Sequence, residues 1–126
     1  MSNDINDRLK EINIEDFIWI IYLGIIALSF YSNNLERKYF IYKNEVDKEK
    51  YKNIIILIFS ILVLVYLYFL KDSINSIKSL KKTDTQEKKY LTYLSFLASL
   101  LIAISGFIFL YIALKDKNLD VELAFN

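Results

Sequence analysis

Residues 53–70 read Asn53-Ile54-Ile55-Ile56-Leu57-Ile58-Phe59-Ser60-Ile61-Leu62-Val63-Leu64-Val65-Tyr66-Leu67-Tyr68-Phe69-Leu70. Neither an acidic nor a basic side chain interrupts them, and Ser60 is the one strongly polar residue in the middle. A helix packed on the outside of a water-soluble bundle must keep a polar face, and no such stripe exists here. Fourteen of the residues are Leu, Ile, Val or Phe. At about −0.3 to −0.6 kcal/mol each they favour insertion into a bilayer by roughly 4 to 8 kcal/mol, an upper bound because that scale applies to the helix centre. This stretch decides the fold class: it is a membrane span.

Two further runs flank it. Residues 17–35 and 90–114 hold 19 and 25 residues without Asp, Glu, Lys or Arg. As helices, the three runs would reach roughly 28, 27 and 37 Å in chain order, against a hydrocarbon core of about 30 Å. Aromatic residues sit near their ends, where a ring with a polar tip prefers the headgroup level. Phe17, Trp19, Phe30 and Tyr31 do so on the first run. Tyr51, Tyr66, Tyr68 and Phe69 do so on the second, and Tyr90, Tyr93, Phe109 and Tyr111 on the third. The expected fold is therefore all-α, an integral membrane protein with three transmembrane helices. Ala27-Leu28-Ser29 resembles a signal-peptide cleavage site, but Glu11, Glu15 and Asp16 stand where a basic leader belongs, so an uncleaved helix is expected.

The remaining segments read as a frame around these spans. Residues 1–16 form an amphipathic or flexible segment, with Ile5, Leu9 and Ile12 on one helical face suited to the membrane surface. Residues 36–52 form a charged loop and helix extension, with a start signal at Asn44. Residues 71–89 continue the second helix to about Lys81 and then turn, so that the second and third helices form an extended helical hairpin with its tip near Thr83. Asp84 with Glu87 three residues on has the form of a helix N-cap. Residues 115–126 read as a short flexible tail.

Composition narrows the chemistry. The chain of 126 residues has no cysteine, histidine or proline and only two glycines, Gly24 and Gly106. Thiol chemistry, disulfides and imidazole acid–base work are thereby excluded. No catalytic residue, cofactor site or metal site is expected, and the loops are too short to enclose a substrate. Sixteen basic side chains against 15 acidic ones leave a net charge of +1, with no field to draw nucleic acid. No charge lies within any span, which argues against proton-coupled transport. Lysine far outnumbers arginine, and with abundant Ile, Asn, Tyr and Phe this suggests an AT-rich bacterial genome and a bacterial cytoplasmic membrane. The positive-inside count is tied at eight on each side. The acidic flank before the first span, followed by Arg37, Lys38 and Lys43, points to an N-terminus outside.

One constellation stands out. On the third helix Thr92, Ser95, Ser99, Ala103, Gly106 and Ala113, with Leu110 between the last two, fall within an arc of roughly 80°. Small residues let helix backbones approach closely in lipid, so this is a helix-packing face. Its expected internal partner is Gly24 and Ala27 on the first helix, with another membrane subunit or a second copy as the alternative. The second helix is expected to face lipid more fully. Lys78, Lys81, Lys82, Lys88 and Lys89 around the hairpin tip read either as ordinary solubilising charge flanking the spans or as lipid headgroup contacts. These features suggest a small non-catalytic membrane protein that works by helix association, as an accessory or assembly subunit. In size and helix count the chain also resembles three-helix phage holins, which implies a membrane-permeabilising pore. It departs from their basic tails in ending Asp120-Val121-Glu122-Leu123-Ala124-Phe125-Asn126. A bacteriocin-immunity type protector is the third reading.

Overall fold

The computed structural model describes residues 2–123, with side chains from Ile5 onward. The protein is all-helical, with helices α1 (Ser2–Tyr42), α2 (Glu45–Lys78) and α3 (Gln86–Lys115). All three are long and apolar enough to cross a membrane. It divides into two compact units, Met1–Ile54 and Ile55–Asn126.

In the first unit, α1 runs for 41 residues without a break. At 1.5 Å per residue that is about 60 Å, twice the hydrocarbon core. The segment 1–16 is not a separate surface piece: from Ser2 it is the first turns of this helix. Nothing in it stops a helix, since proline is absent and Arg8 pairs with Glu11 at 3.0 Å one turn on. Within the span, Ser29 Oγ donates to the Ile25 carbonyl and Ser32 Oγ to the Ser29 carbonyl, at 2.8 and 2.9 Å. Both hydroxyls are thus satisfied by the helix that carries them, which a solvent without hydrogen-bonding groups demands.

The link from α1 to α2 is shorter than a loop over 36–52 implies: only Lys43 and Asn44 lie outside helix. Lys43 adopts the left-handed region at φ 56°, and its N–H donates to the Tyr39 carbonyl at 2.7 Å, closing α1 with a left-handed cap. Its ammonium lies 5.6 Å from the ring centres of Tyr39 and Phe40. Asn44 then caps α2, its Oδ1 accepting from the Val46 N–H at 2.9 Å, with Glu45 and Asp47 in the first turn to complement the helix dipole.

In the second unit, α2 ends at Lys78 and α3 begins at Gln86, the two antiparallel and packed as a hairpin. The tail after Lys115 is not free as far as Leu123. The Asp116 N–H caps α3 on the Ile112 carbonyl, and the Asp116 carboxylate accepts from the Asp120 and Val121 N–H groups at 3.1 and 2.8 Å. Leu119 takes a left-handed turn at φ 58°, and Leu123 is buried. The tail residues Ala124, Phe125 and Asn126 lie outside the described residues.

Removing the Asn44 cap should cost about 1 kcal/mol. Asn44→Ala is therefore expected to lower the thermal midpoint in detergent, followed by circular dichroism, while Asn44→Asp retains it. Equal loss in both variants would show that the side-chain oxygen does not hold this turn.

Candidate interaction surface: the helical hairpin

The hairpin turn is built from side chains that replace missing helical partners. The Lys81 N–H donates to Asp84 Oδ2 at 2.8 Å, and the Asp84 N–H returns to the Lys81 carbonyl at 3.0 Å. Asp84 is thus a turn residue and not the helix cap. The cap is Thr85, one residue later, whose Oγ1 accepts from the Lys88 N–H at 3.1 Å. Geometry decides this: the Asp84 carboxylate is turned back onto the Lys81 N–H, and the amide ahead is met by the Thr85 hydroxyl. The hydrogen bond from the Lys81 backbone holds the Asp84 carboxyl below its ordinary value, with the Lys88 ammonium at 3.3 Å adding to the effect. A lowered carboxyl pKa means that the contact is fully present above the ordinary carboxylate range. It is lost as pH falls through the lowered value.

Five lysines surround this turn. Lys78, Lys81, Lys82 and Lys88 are exposed, and Lys89 is half-buried with its ammonium donating to the Lys82 carbonyl at 3.4 Å. Beside them, the end of α2 and the start of α3 leave an open groove of about 470 Å³. It is lined by the hydroxyl residues Ser76, Thr85, Thr92 and Ser95, with Glu87, Lys88 and Leu91. Thr92 donates to the Lys88 carbonyl at 2.7 Å and Ser76 to the Asp72 carbonyl at 3.1 Å. The groove therefore offers hydroxyl oxygens, one ammonium and the Glu87 carboxylate.

Deeper in the hairpin, the small-residue face of α3 meets α2. Ala103, Gly106 and Ala113 are buried and Ser99 is half-buried, while Ser95 at the outer end opens to the groove. A methyl group added at Gly106 would lie 2.8 Å from Tyr66 Cδ2 and 3.4 Å from Val63 Cγ2. Tyr66 lies over Gly106 because there is no side chain in its way. Close by, Phe59 and Phe109 stack with ring centres 5.5 Å apart. Gly24 and Ala27 were the expected partners, but both are exposed, and a methyl group on Gly24 would meet nothing within 4 Å.

The expectation that α2 faces lipid more fully is also reversed. It is the most buried helix, with 33 % of its most apolar window covered against 11 % for α1 and 17 % for α3. Ile55, Ile58, Phe59, Leu62, Val63 and Val65 are buried and occupy an arc of roughly 160°; Leu57 and Leu64 point the other way. The small residues of α3 stand out in the sequence; the large ones of α2 beside them, Val63, Tyr66 and Phe59, do not. The available signal was complementarity: where one helix is small, its neighbour must be large to exclude voids.

Among the described residues, every buried side-chain nitrogen and oxygen has a partner. No group of three His, Cys, Asp or Glu residues gathers there in a way that would hold a metal ion. No protein-family model, curated protein or solved structure matches the chain.

The two glycines should respond in opposite ways. Gly106→Ile is expected to destabilise the protein by about 1–3 kcal/mol or more through overpacking against Tyr66. Gly24→Ala, in open space, should be neutral or stabilising by up to about 1 kcal/mol. Unfolding of both variants in mixed micelles measures this, and a Gly106→Ile protein as stable as the parent would exclude the packing described.

Proposed function

We propose that the chain is a small non-catalytic membrane protein that acts by helix association, as an accessory or assembly subunit of a bacterial cytoplasmic membrane. One observation carries this reading: nearly all the surface on offer is helix. The connections hold only residues 43–44 and 79–85, and each helix continues past its uncharged run. These stalks present large apolar and aromatic side chains, such as Phe40, Ile41 and Tyr42 at the end of α1, all exposed. Recognition in such a protein proceeds by laying helix against helix.

With the small-residue face of α3 occupied inside the hairpin, association falls to the outer faces of the helices. The five lysines at the hairpin tip supply a second, weaker function. Near an anionic surface each contributes about 1 kcal/mol, enough together to hold the tip against headgroups and set the depth of the hairpin. The acidic flank of the first span supports an N-terminus outside, whereas the five lysines of the tip favour the cytoplasmic side for the hairpin turn, so the two signals oppose each other.

Light-scattering mass measurement of the protein extracted in mild detergent tests the association. A polypeptide mass above the 14.9 kDa of one chain, or co-elution with a stoichiometric membrane protein, is expected. A lone protomer in every mild detergent tried would remove the reading.

A further inference from the structure

The outer face of α1 carries a repeat that the rest of the fold does not use. Outside the uncharged run stand Ile5, Leu9 and Ile12, and within it Trp19, Leu23, Ile26 and Phe30. The intervals alternate between three and four residues throughout, with Asp16 filling the one remaining place. Each of the seven apolar residues is between 38 % and 73 % exposed. The buried residues of α1, Ile18, Ile25, Ser32 and Leu35, lie on roughly the opposite side of the helix. A repeat of 3.5 residues is the pattern of a helix wound against a second helix.

Lipid can cover only part of this stripe. Because α1 is unbroken, Ile12, Leu9 and Ile5 stand about 8, 12 and 18 Å beyond Phe17 along the axis. The headgroup layer is only about 5–7 Å thick on each side, so Leu9 and Ile5 lie in water. A helix that crosses the bilayer cannot also lie flat on its surface. These side chains therefore call for a protein partner, and the same register then continues into the membrane without a change of face.

We infer that α1 pairs in parallel with α1 of a second copy of this chain along the stripe from Ile5 to Phe30. This rests on the reading of the protein as one that acts by association, and it names the face and the partner. Three observations select a second copy. The stripe is self-complementary about a two-fold axis parallel to the helix, as a symmetric dimer requires. The exposed area of its seven apolar residues, on the order of 800–900 Å² per copy, is the upper bound on what a pair can bury, and it reaches the size of a standard interface, about 800 Å² per partner. Only a parallel pair brings both aqueous segments to the same side of the bilayer, where each covers the other. Asp16 takes the one polar place in the seam; a parallel pair sets its carboxylate beside that of the second copy, and at the water boundary solvent and salt screen this repulsion.

The chain has no cysteine, so single-cysteine variants of the full-length protein report the seam directly. Leu9→Cys, Ile12→Cys, Leu23→Cys and Ile26→Cys are oxidised in native membranes beside Ile14→Cys and Phe17→Cys. Those two controls are also exposed in α1, at 42 % and 62 %, but lie off the stripe. Severalfold more covalent dimer at the four stripe positions than at the two controls is the expected result. Equal dimer at both sets, or none on the stripe, overturns the inference. The mass of the parent protein in mild detergent then separates the two failures. A multimer without stripe-dependent crosslinking leaves association standing through another face, and a lone protomer removes both.

Discussion

Every feature of this protein follows from one constraint: inside a bilayer, no water is present to satisfy the backbone. A segment such as residues 53–70 can enter only with each N–H and C=O paired within itself, and with no strand among the described residues that means helix. The constraint extends to side chains. Ser29, Ser32 and Ser105 all return their hydroxyl protons to carbonyls of their own helix, at 2.8–2.9 Å. Outside the bilayer the requirement is relaxed, and there capping side chains are added: Asn44 and Thr85 at the helix starts, and Asp84 and Asp116 at the turn and the tail.

How far this was legible in the sequence depends on the kind of signal. The three spans were, because uncharged length is a property of each residue taken alone. The hairpin was, because the second helix reads on past Leu70 and the Asp84–Glu87 pattern restarts a helix a few residues later. The pairing of the small-residue face was not. Smallness at Gly106 says that something approaches, but not what, and the answer lies in the bulk of Tyr66 and Val63. Gly24 and Ala27 match Gly106 only in being small, whereas close packing joins small residues to large ones. The cap at Thr85 was misassigned to Asp84 because both residues suit an N-cap, and only the returning bond to Lys81 distinguishes them.

Helix length gives the protein its second character. A bilayer needs about 20 residues from each span, and these helices hold 41, 34 and 30. The excess is carried as rigid extensions that hold side chains at fixed heights above the membrane. On the α1–α2 end this creates an aromatic stalk topped by Lys43. At the α2–α3 turn it creates a basic tip beside a hydroxyl-lined groove. At the start of α1 it holds Ile5 and Leu9 beyond the reach of lipid. A protein with so little loop displays its chemistry by register along a helix, and a one-residue shift in any extension would turn its outer face by about 100°.

Amide hydrogen exchange of the protein in lipid nanodiscs tests the central claim most directly, because it reports where the backbone leaves water. Three blocks of slow exchange are expected, centred on residues 17–35, 53–70 and 90–114, with faster exchange in the helical extensions between and before them. Uniform exchange along all three helices, or a protein that remains dissolved and monodisperse with neither lipid nor detergent, would contradict a fold dictated by the bilayer.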